Sequence, residues 1–234
     1  MLSESTEQTT SVPSPPMLAN SCWRYQVRFS KSESLVWIGH QDLMKVFERL
    51  FRRVNLPVAQ SQGYNPRPRM NLVQALGLGI EAHREVLEVE LTQPIVPESL
   101  IDQLNQSAPA GLRFFDARWM TSRKSGQAER ISYTFEKEIP AERKESASSR
   151  MEDFLSAPTF QISRVREKET VQLDLRPLVE DIGWTQSGKL SMTLRVTPQA
   201  TARPEEVLTA IGLGDLFSLG SLIRHDVILR EFEE

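Results

Sequence analysis

The side chains best suited to chemistry, or to holding an anion, are concentrated between His40 and Arg69. His40 and Asp42 are spaced so that the carboxylate can orient the imidazole, leaving the other ring nitrogen as base, acid or ligand. The same pair also suits an ordinary helix start, where an acid in the first turn complements the helix dipole. Further on lies the run QGYNPRPR, Gln62 to Arg69. Tyr64 offers a stacking face, Gln62 and Asn65 offer amides, and Arg67 and Arg69 offer charge-assisted contacts to phosphate or carboxylate. Pro66 and Pro68 stiffen the run and Gly63 permits a positive φ. A stiff loop loses less entropy on binding than a floppy one. Arg52 and Arg53 add charge just before this loop.

These residues must be positioned by the elements around them. Trp23–Phe29 alternates as a strand, with Trp23, Tyr25, Val27 and Phe29 on one face and Arg24, Gln26 and Arg28 on the other. Gly39–Asn55 reads as a helix, because Leu43, Phe47, Leu50 and Val54 form one stripe. Arg52 and Arg53 fall in its last turn, and Asn55 and Pro57 mark its exit. Pro57–Gln60 resumes an extended path. Met70–Leu78 begins as a strand, Glu85–Leu91 is a strand, Pro97–Gln106 a helix and Gly111–Met120 a strand. If the strand after the first helix runs back along it, the loop reaches the His40 end and leaves Arg52 and Arg53 behind.

Thr121–Glu129 is polar and reads as a linker. Beyond it, strands are expected over Ile131–Ile139, Phe160–Val165, Val171–Leu175, Lys189–Val196 and Ile223–Phe232. Helices are expected over Ala141–Leu155 and Arg203–Ile211, with a short helical turn at Leu178–Ile182. The first half follows the split-βαβ order and the second repeats it approximately, with one extra strand or turn, so the expected fold is α+β, two tandem ferredoxin-like domains. The expected layout is a disordered tail over 1–21, a first domain over 22–120, a linker over 121–129 and a second domain over 130–234.

Composition excludes several function classes. The lone Cys22 rules out a disulfide within the chain and a self-contained iron–sulfur cluster. It suits a reducing cytoplasm and borders the polar tail with no histidine patterned to activate it. His40, His83 and His225 are too scattered for a structural zinc site. No apolar run approaches the ~20 residues of a membrane span, and the first residues lack the pattern of a secretory signal. The formal net charge is −3, but Cys22–Met120 carries 12 Lys+Arg against 10 Asp+Glu. Gly77-Leu78-Gly79 lacks the third glycine of a dinucleotide fingerprint and reads as a tight turn, so no cofactor is expected. Strand alternation would put His225 and Asp226 on opposite faces. Trp184 reads as a packed corner.

The run GHQDLMKVFERLFRRVNLPVAQSQGYNPRPRM, followed by ALGLGIEAHREVLEVEL, resembles the radical-SAM-linked domain family of unknown function. His40, Asp42 and Leu43 match that family's helix entrance, with Gly39 in place of Ser. Gln62, Gly63, Asn65, Pro66 and Pro68 match its loop. Tyr64, Arg67 and Arg69 stand where the family has Phe, His and Lys, and Gly77 where it has Pro. The missing loop histidine speaks against a mechanism using two histidines from this region. The chain has no CxxxCxxC, so it is not itself a radical SAM enzyme. The resemblance implies a stand-alone accessory module that acts with a separate radical SAM enzyme. The stiff Arg/Tyr loop beside a basic helix end makes RNA binding or substrate presentation, in RNA modification, the expected role. Two alternatives stand beside it. One is a metal-independent endoribonuclease with His40 as acid or base, in keeping with the tandem ferredoxin-like architecture of CRISPR repeat-processing endoribonucleases. The other is a protein–protein adaptor for the same partner.

Overall fold

A computed structural model describes residues 22–122, 124–166 and 169–230. The expected tail, two residues of the Arg166–Glu169 turn and the end of the last strand fall outside them.

The first half runs β1 (Trp23–Lys31), α1 (His40–Arg53), β2 (Met70–Leu72), β3 (Ile80–Leu91), α2 (Pro97–Asn105) and β4 (Leu112–Trp119). The second runs β5 (Ala128–Phe135), α3 (Ala141–Ser156), β6 (Gln161–Arg166), β7 (Glu169–Asp174), β8 (Val179–Trp184), β9 (Leu190–Arg195), α4 (Pro204–Ala210) and β10 (Leu222–Leu229). One large, mostly antiparallel sheet carries the order β4-β1-β3-β10-β5-β9-β8, with β2 also pairing β3. The β6–β7 hairpin forms its own small sheet. The mixed α+β class therefore stands, with four α-helices among the described residues.

Alternation explains the first core. Tyr25, Val27 and Phe29 of β1 and Leu87, Val89 and Leu91 of β3 meet Leu43, Phe47, Leu50 and Phe51 of α1 and Leu100 and Leu104 of α2. Phe47 stacks edge-on against Phe29 with ring centroids 5.1 Å apart. In the second half, Ala147, Met151 and Phe154 form the buried stripe of the otherwise polar α3. They pack over Ile131, Tyr133, Phe135 and the strands beside them.

The two halves are joined edge to edge. β10 runs parallel to the start of β3, pairing Leu222 with Ile80 and Arg224 with Ala82. Arg224 and Glu85 are sealed beneath this seam, with side chains 2% and 1% exposed. Arg224 donates to Glu85 through Nε (2.6 Å) and Nη2 and to the Ala75 carbonyl (2.9 Å). Burial penalises the guanidinium, but the Glu85 carboxylate and the Tyr133 hydroxyl outweigh that and hold its pKa above the usual value. Lys31, fully buried beside them, is pulled down to about 8 by burial and by Arg224, against the opposing pull of Glu85.

Leu178–Ile182 is not a helical turn. A 3-10 turn over Arg176–Leu178 leads directly into β8, which pairs with β9 from Val179↔Leu194 to Trp184↔Leu190. A bulge between Val179 and Asp181 brings Val179 and Ile182 to the same buried side, which imitates helical spacing in the sequence. His225 and Asp226 do not alternate either. A bulge between Arg224 and Asp226 turns both away from the helices. There His225 hydrogen-bonds the Thr134 hydroxyl (2.7 Å) and Asp226 pairs with Arg28 (3.1 Å). Trp184 is a packed corner: its indole N–H donates to the Ser148 hydroxyl (2.8 Å), and Lys144 lies over its ring.

Candidate functional site

The QGYNPRPR segment is a short hairpin-like excursion with a pinned neck. Gln60 bridges Pro68, the Ser61 N–H donates to the Arg67 carbonyl (2.8 Å), and the Arg69 N–H to the Ala59 carbonyl (2.8 Å). The Arg67 N–H also donates to the Ser61 hydroxyl (3.0 Å). Gly63 takes φ +141°, a conformation that a side chain would strain. Within this frame Gln62, Asn65 and Arg67 are exposed, and Tyr64 is 99% exposed. A ring so fully presented to water gains nothing from packing within the chain. Arg69 is different. It pairs with Glu90 (2.9 Å) and fastens the neck to β3.

Strand register places this loop. β2 leaves it pairing Met70 with Val89 and Leu72 with Leu87, so the loop lies at the C-terminal end of β3. The chain leaving α1 is at that same end, where the Thr92 N–H donates to the Pro57 carbonyl (2.8 Å). Arg52 and Arg53, both exposed, belong to this end. They donate to the Glu48 and Ser107 carbonyls, each at 3.3 Å, which leaves further donors on both guanidinium groups.

His40 lies at the other end of α1, about 21 Å away for fourteen residues at 1.5 Å each. It opens the helix behind Gly39, and its Nδ1 is buried without a hydrogen-bond partner. Asp42 does not orient it. That carboxylate is exposed and pairs with Lys45 at i+3 (2.9 Å). The GLG turn closes this end, with the Gly79 N–H donating to the Val36 carbonyl (2.8 Å). Gly79 adopts φ +75°, and a Cβ there would meet Leu219 Cβ at 2.9 Å, so a side chain fits neither the backbone nor the space.

The expected meeting of His40, Asp42 and the loop does not occur. The sequence puts the return along α1 at Pro57–Gln60, before the loop. In the structure that segment makes only isolated bridges, and the return strand is β2, after the loop. The structure thus puts Arg52 and Arg53 at the same end of the sheet as Gln62, Tyr64, Asn65 and Arg67, and His40 and Asp42 at the other.

Sequence reasoning missed two features. His83 and His225, far apart in the chain, stand edge to face with ring centroids 5.1 Å apart. The β3–β10 seam creates that contact, and neither local sequence signals it. The other is a cavity on the sheet face turned away from the helices, lined by Arg28, Arg84 and Arg118 among others. A signal for it was present in the polar alternation of Arg24, Gln26 and Arg28 along β1.

Residues 24–204 match the model of a family described as an uncharacterised protein conserved in bacteria, DUF2344. No curated protein matches the chain. Among solved structures, a protein of unknown function from Galdieria sulphuraria aligns at 12% identity and TM-score 0.28, over 83% of this chain and 92% of its own. A Cas6 substrate-mimic complex aligns at 14% identity and TM-score 0.21, over 87% and 99%. At such TM-scores neither likeness carries an argument.

Proposed function

We propose that this chain, which belongs to the DUF2344 family, binds single-stranded RNA through the Gln62–Arg67 loop and presents it to a separate radical SAM enzyme. One observation carries the reading: the fully exposed Tyr64 ring on a pinned loop, with Arg67 beside it and Arg52 and Arg53 at the same end of the sheet. An aromatic platform flanked by cations suits an unpaired strand, because every base has a face to stack and every linkage a charge to neutralise. The partner comes from the sequence resemblance. The endoribonuclease reading is not carried further, because His40 and the arginines stand at opposite ends of α1.

A protein partner has separate support at the His40 end. Trp37, Leu78 and Leu219 are large apolar side chains exposed by 57%, 44% and 52%. They adjoin one another, since the Gly220 N–H donates to the Gly79 carbonyl (2.9 Å) and a Cβ on Gly220 would strike the Trp37 ring. A clustered apolar surface of this kind suits a partner contact. We also infer that each half is a split-βαβ unit. The orders β4-β1-β3-β2 and β10-β5-β9-β8 support this, being the same once each half is numbered from its own first strand, with β6–β7 an insertion.

The test of RNA binding is fluorescence anisotropy with a labelled, unstructured oligoribonucleotide at low salt. Binding is expected to weaken steeply with salt and to fall about tenfold or more in Tyr64→Ala. Arg67→Ala should weaken it further and flatten the salt slope. No binding at low salt, or binding indifferent to Tyr64→Ala, overturns the reading.

A further inference from the structure

The sheet face opposite the helices is roofed in one place. β1 and β4 lay Arg28 across from Asp116 and Gln26 across from Arg118 on this face. Beyond β4, the described residues Ser122 and Gly126 are tied down over this face. The Gly126 N–H donates to Glu88 (2.6 Å), and Arg24 donates to the Ser122 carbonyl (3.0 Å). β10 closes the other side, where Arg28 donates to the Val227 carbonyl (2.8 Å). The cavity, open to solvent on one side, measures about 830 Å³, within the roughly 300–1,000 Å³ of small-molecule sites.

Its charge is one-sided. Arg28, Arg84, Arg118, Lys124 and Arg230 line it against only Asp116 and Asp226. That is an excess of three positive charges, in a chain whose net charge is −3. Asp226 is already engaged by Arg28 (3.1 Å) and Arg84 (3.6 Å). Arg118 bonds only the neutral Gln26 amide (3.0 Å), and Lys124 has no carboxylate partner among the described residues. Like charges drawn together in this way cost free energy. Burial lowers the Arg28 pKa, Asp226 pulls it back up, and the neighbouring Arg84 and Arg118 lower it further. A dianion entering the cavity would offset that repulsion. Met120, Ile228 and Leu229 add an apolar wall on which a flat ring can lie.

We propose that this cavity is a binding site for the phosphate of a nucleotide-sized ligand, held by Arg118 and Lys124 over the Arg28 floor. It is separate from the loop and does not rest on the RNA reading of that loop. A free nucleotide and the phosphorylated end of an RNA strand share this chemistry.

The experiment is calorimetric titration of the full chain at low salt. The probes are inorganic phosphate, AMP, ATP, and one short oligoribonucleotide with and without a 5′-phosphate. At least one phosphate-bearing probe is expected to bind. The affinity for phosphate, AMP or ATP, and the gain that a 5′-phosphate adds to the strand's affinity, should fall about tenfold or more in Arg118→Glu/Lys124→Glu and stay unchanged in Tyr64→Ala. Binding of AMP or ATP identifies a free nucleotide, whereas a gain from the 5′-phosphate with no binding of AMP or ATP identifies an RNA end. Because charge reversal can perturb folding, Arg118→Gln and Lys124→Gln are titrated in parallel, with thermal melts as the check. No binding of phosphate, AMP or ATP at millimolar concentration, together with no gain from the 5′-phosphate, overturns the proposal. So does unchanged affinity in the folded variants. Loss of RNA binding in Tyr64→Ala with nucleotide binding intact separates the two sites.

Discussion

Replacing Glu85 by Gln is the most direct test of how the two halves are joined. Glu85 is the only carboxylate bonded to Arg224 among the described residues, and both side chains are almost fully buried. The substitution keeps the shape but leaves a buried guanidinium with Lys31 beside it and no counter-charge. Breaking one partner of such a pair costs about 3–5 kcal/mol, a large share of the roughly 5–15 kcal/mol of a typical domain. Lys31 gives the loss a pH signature. Its pKa is about 8 in the folded chain and about 10.4 unfolded, so between these values the unfolded chain binds more protons and stability rises with pH. At pH 7 folded Lys31 is charged and drawn to Glu85, whereas at pH 9 it is mostly neutral and that attraction is gone. Glu85→Gln should therefore cost more at pH 7 than at pH 9. Urea unfolding followed by circular dichroism at both pH values reads the difference. Removing both charges, as Glu85→Leu/Arg224→Met, should recover most of the loss. A cost below about 1 kcal/mol at pH 7, or one that grows at pH 9, would refute this account of the seam.

Two further outcomes are expected. His225 has its pKa lowered by burial and by His83, against the opposing pull of Glu136 and Glu81. Its contribution to stability is complete above the unfolded value of about 6.5 and is lost as pH falls from there through the folded pKa. Thermal melts should show the chain weakening on acidification in that window, and His225→Gln should flatten the slope. If the apolar surface at Trp37, Leu78 and Leu219 meets a protein partner, Leu219→Asp should abolish co-purification with the radical SAM enzyme while leaving the melting temperature and RNA binding unchanged. Retained co-purification in Leu219→Asp would exclude that surface.

What the sequence made legible was local. The stripe of Leu43, Phe47 and Leu50 found α1, and the alternation of Tyr25, Val27 and Phe29 found β1 and its buried face. Asn55 takes the left-handed conformation (φ +52°) at the helix exit, as its residue type suggests. Hidden from view were features made by register and by contacts far apart in the chain. Two bulges misassigned Val179–Ile182 and the His225–Asp226 pair, because one extra residue shifts every later side chain to the other face. The loop was sent to the wrong end of α1 for a related reason. The order strand–helix–strand holds, but the sequence does not say which of two short extended pieces, Pro57–Gln60 or Met70–Leu72, is the returning strand.

β3 is where these strands of argument meet. In sequence, its acids look like the solvated face of an ordinary strand. In the structure Glu81 hydrogen-bonds His83 (3.1 Å), and the other three each engage an arginine. Glu85 holds Arg224 and with it the second half of the sheet. Glu88 binds Arg24 (3.2 Å) and the Gly126 N–H, and so secures the roof of the cationic cavity. Glu90 binds Arg69 (2.9 Å) and lies 3.5 Å from Arg24, which anchors the neck of the Tyr64 loop. Plain alternation sets Glu85 opposite Phe29, on the helix-facing side with Leu87 and Val89, while Glu88 and Glu90 reach the other side. The strand's acids thus absorb Arg24, Arg69 and Arg224 as structural groups. Among the described residues, the cations left without a carboxylate partner then include Arg67 at the loop and Arg118 and Lys124 at the cavity. That division separates the arginines that hold the fold from those available to an anionic ligand.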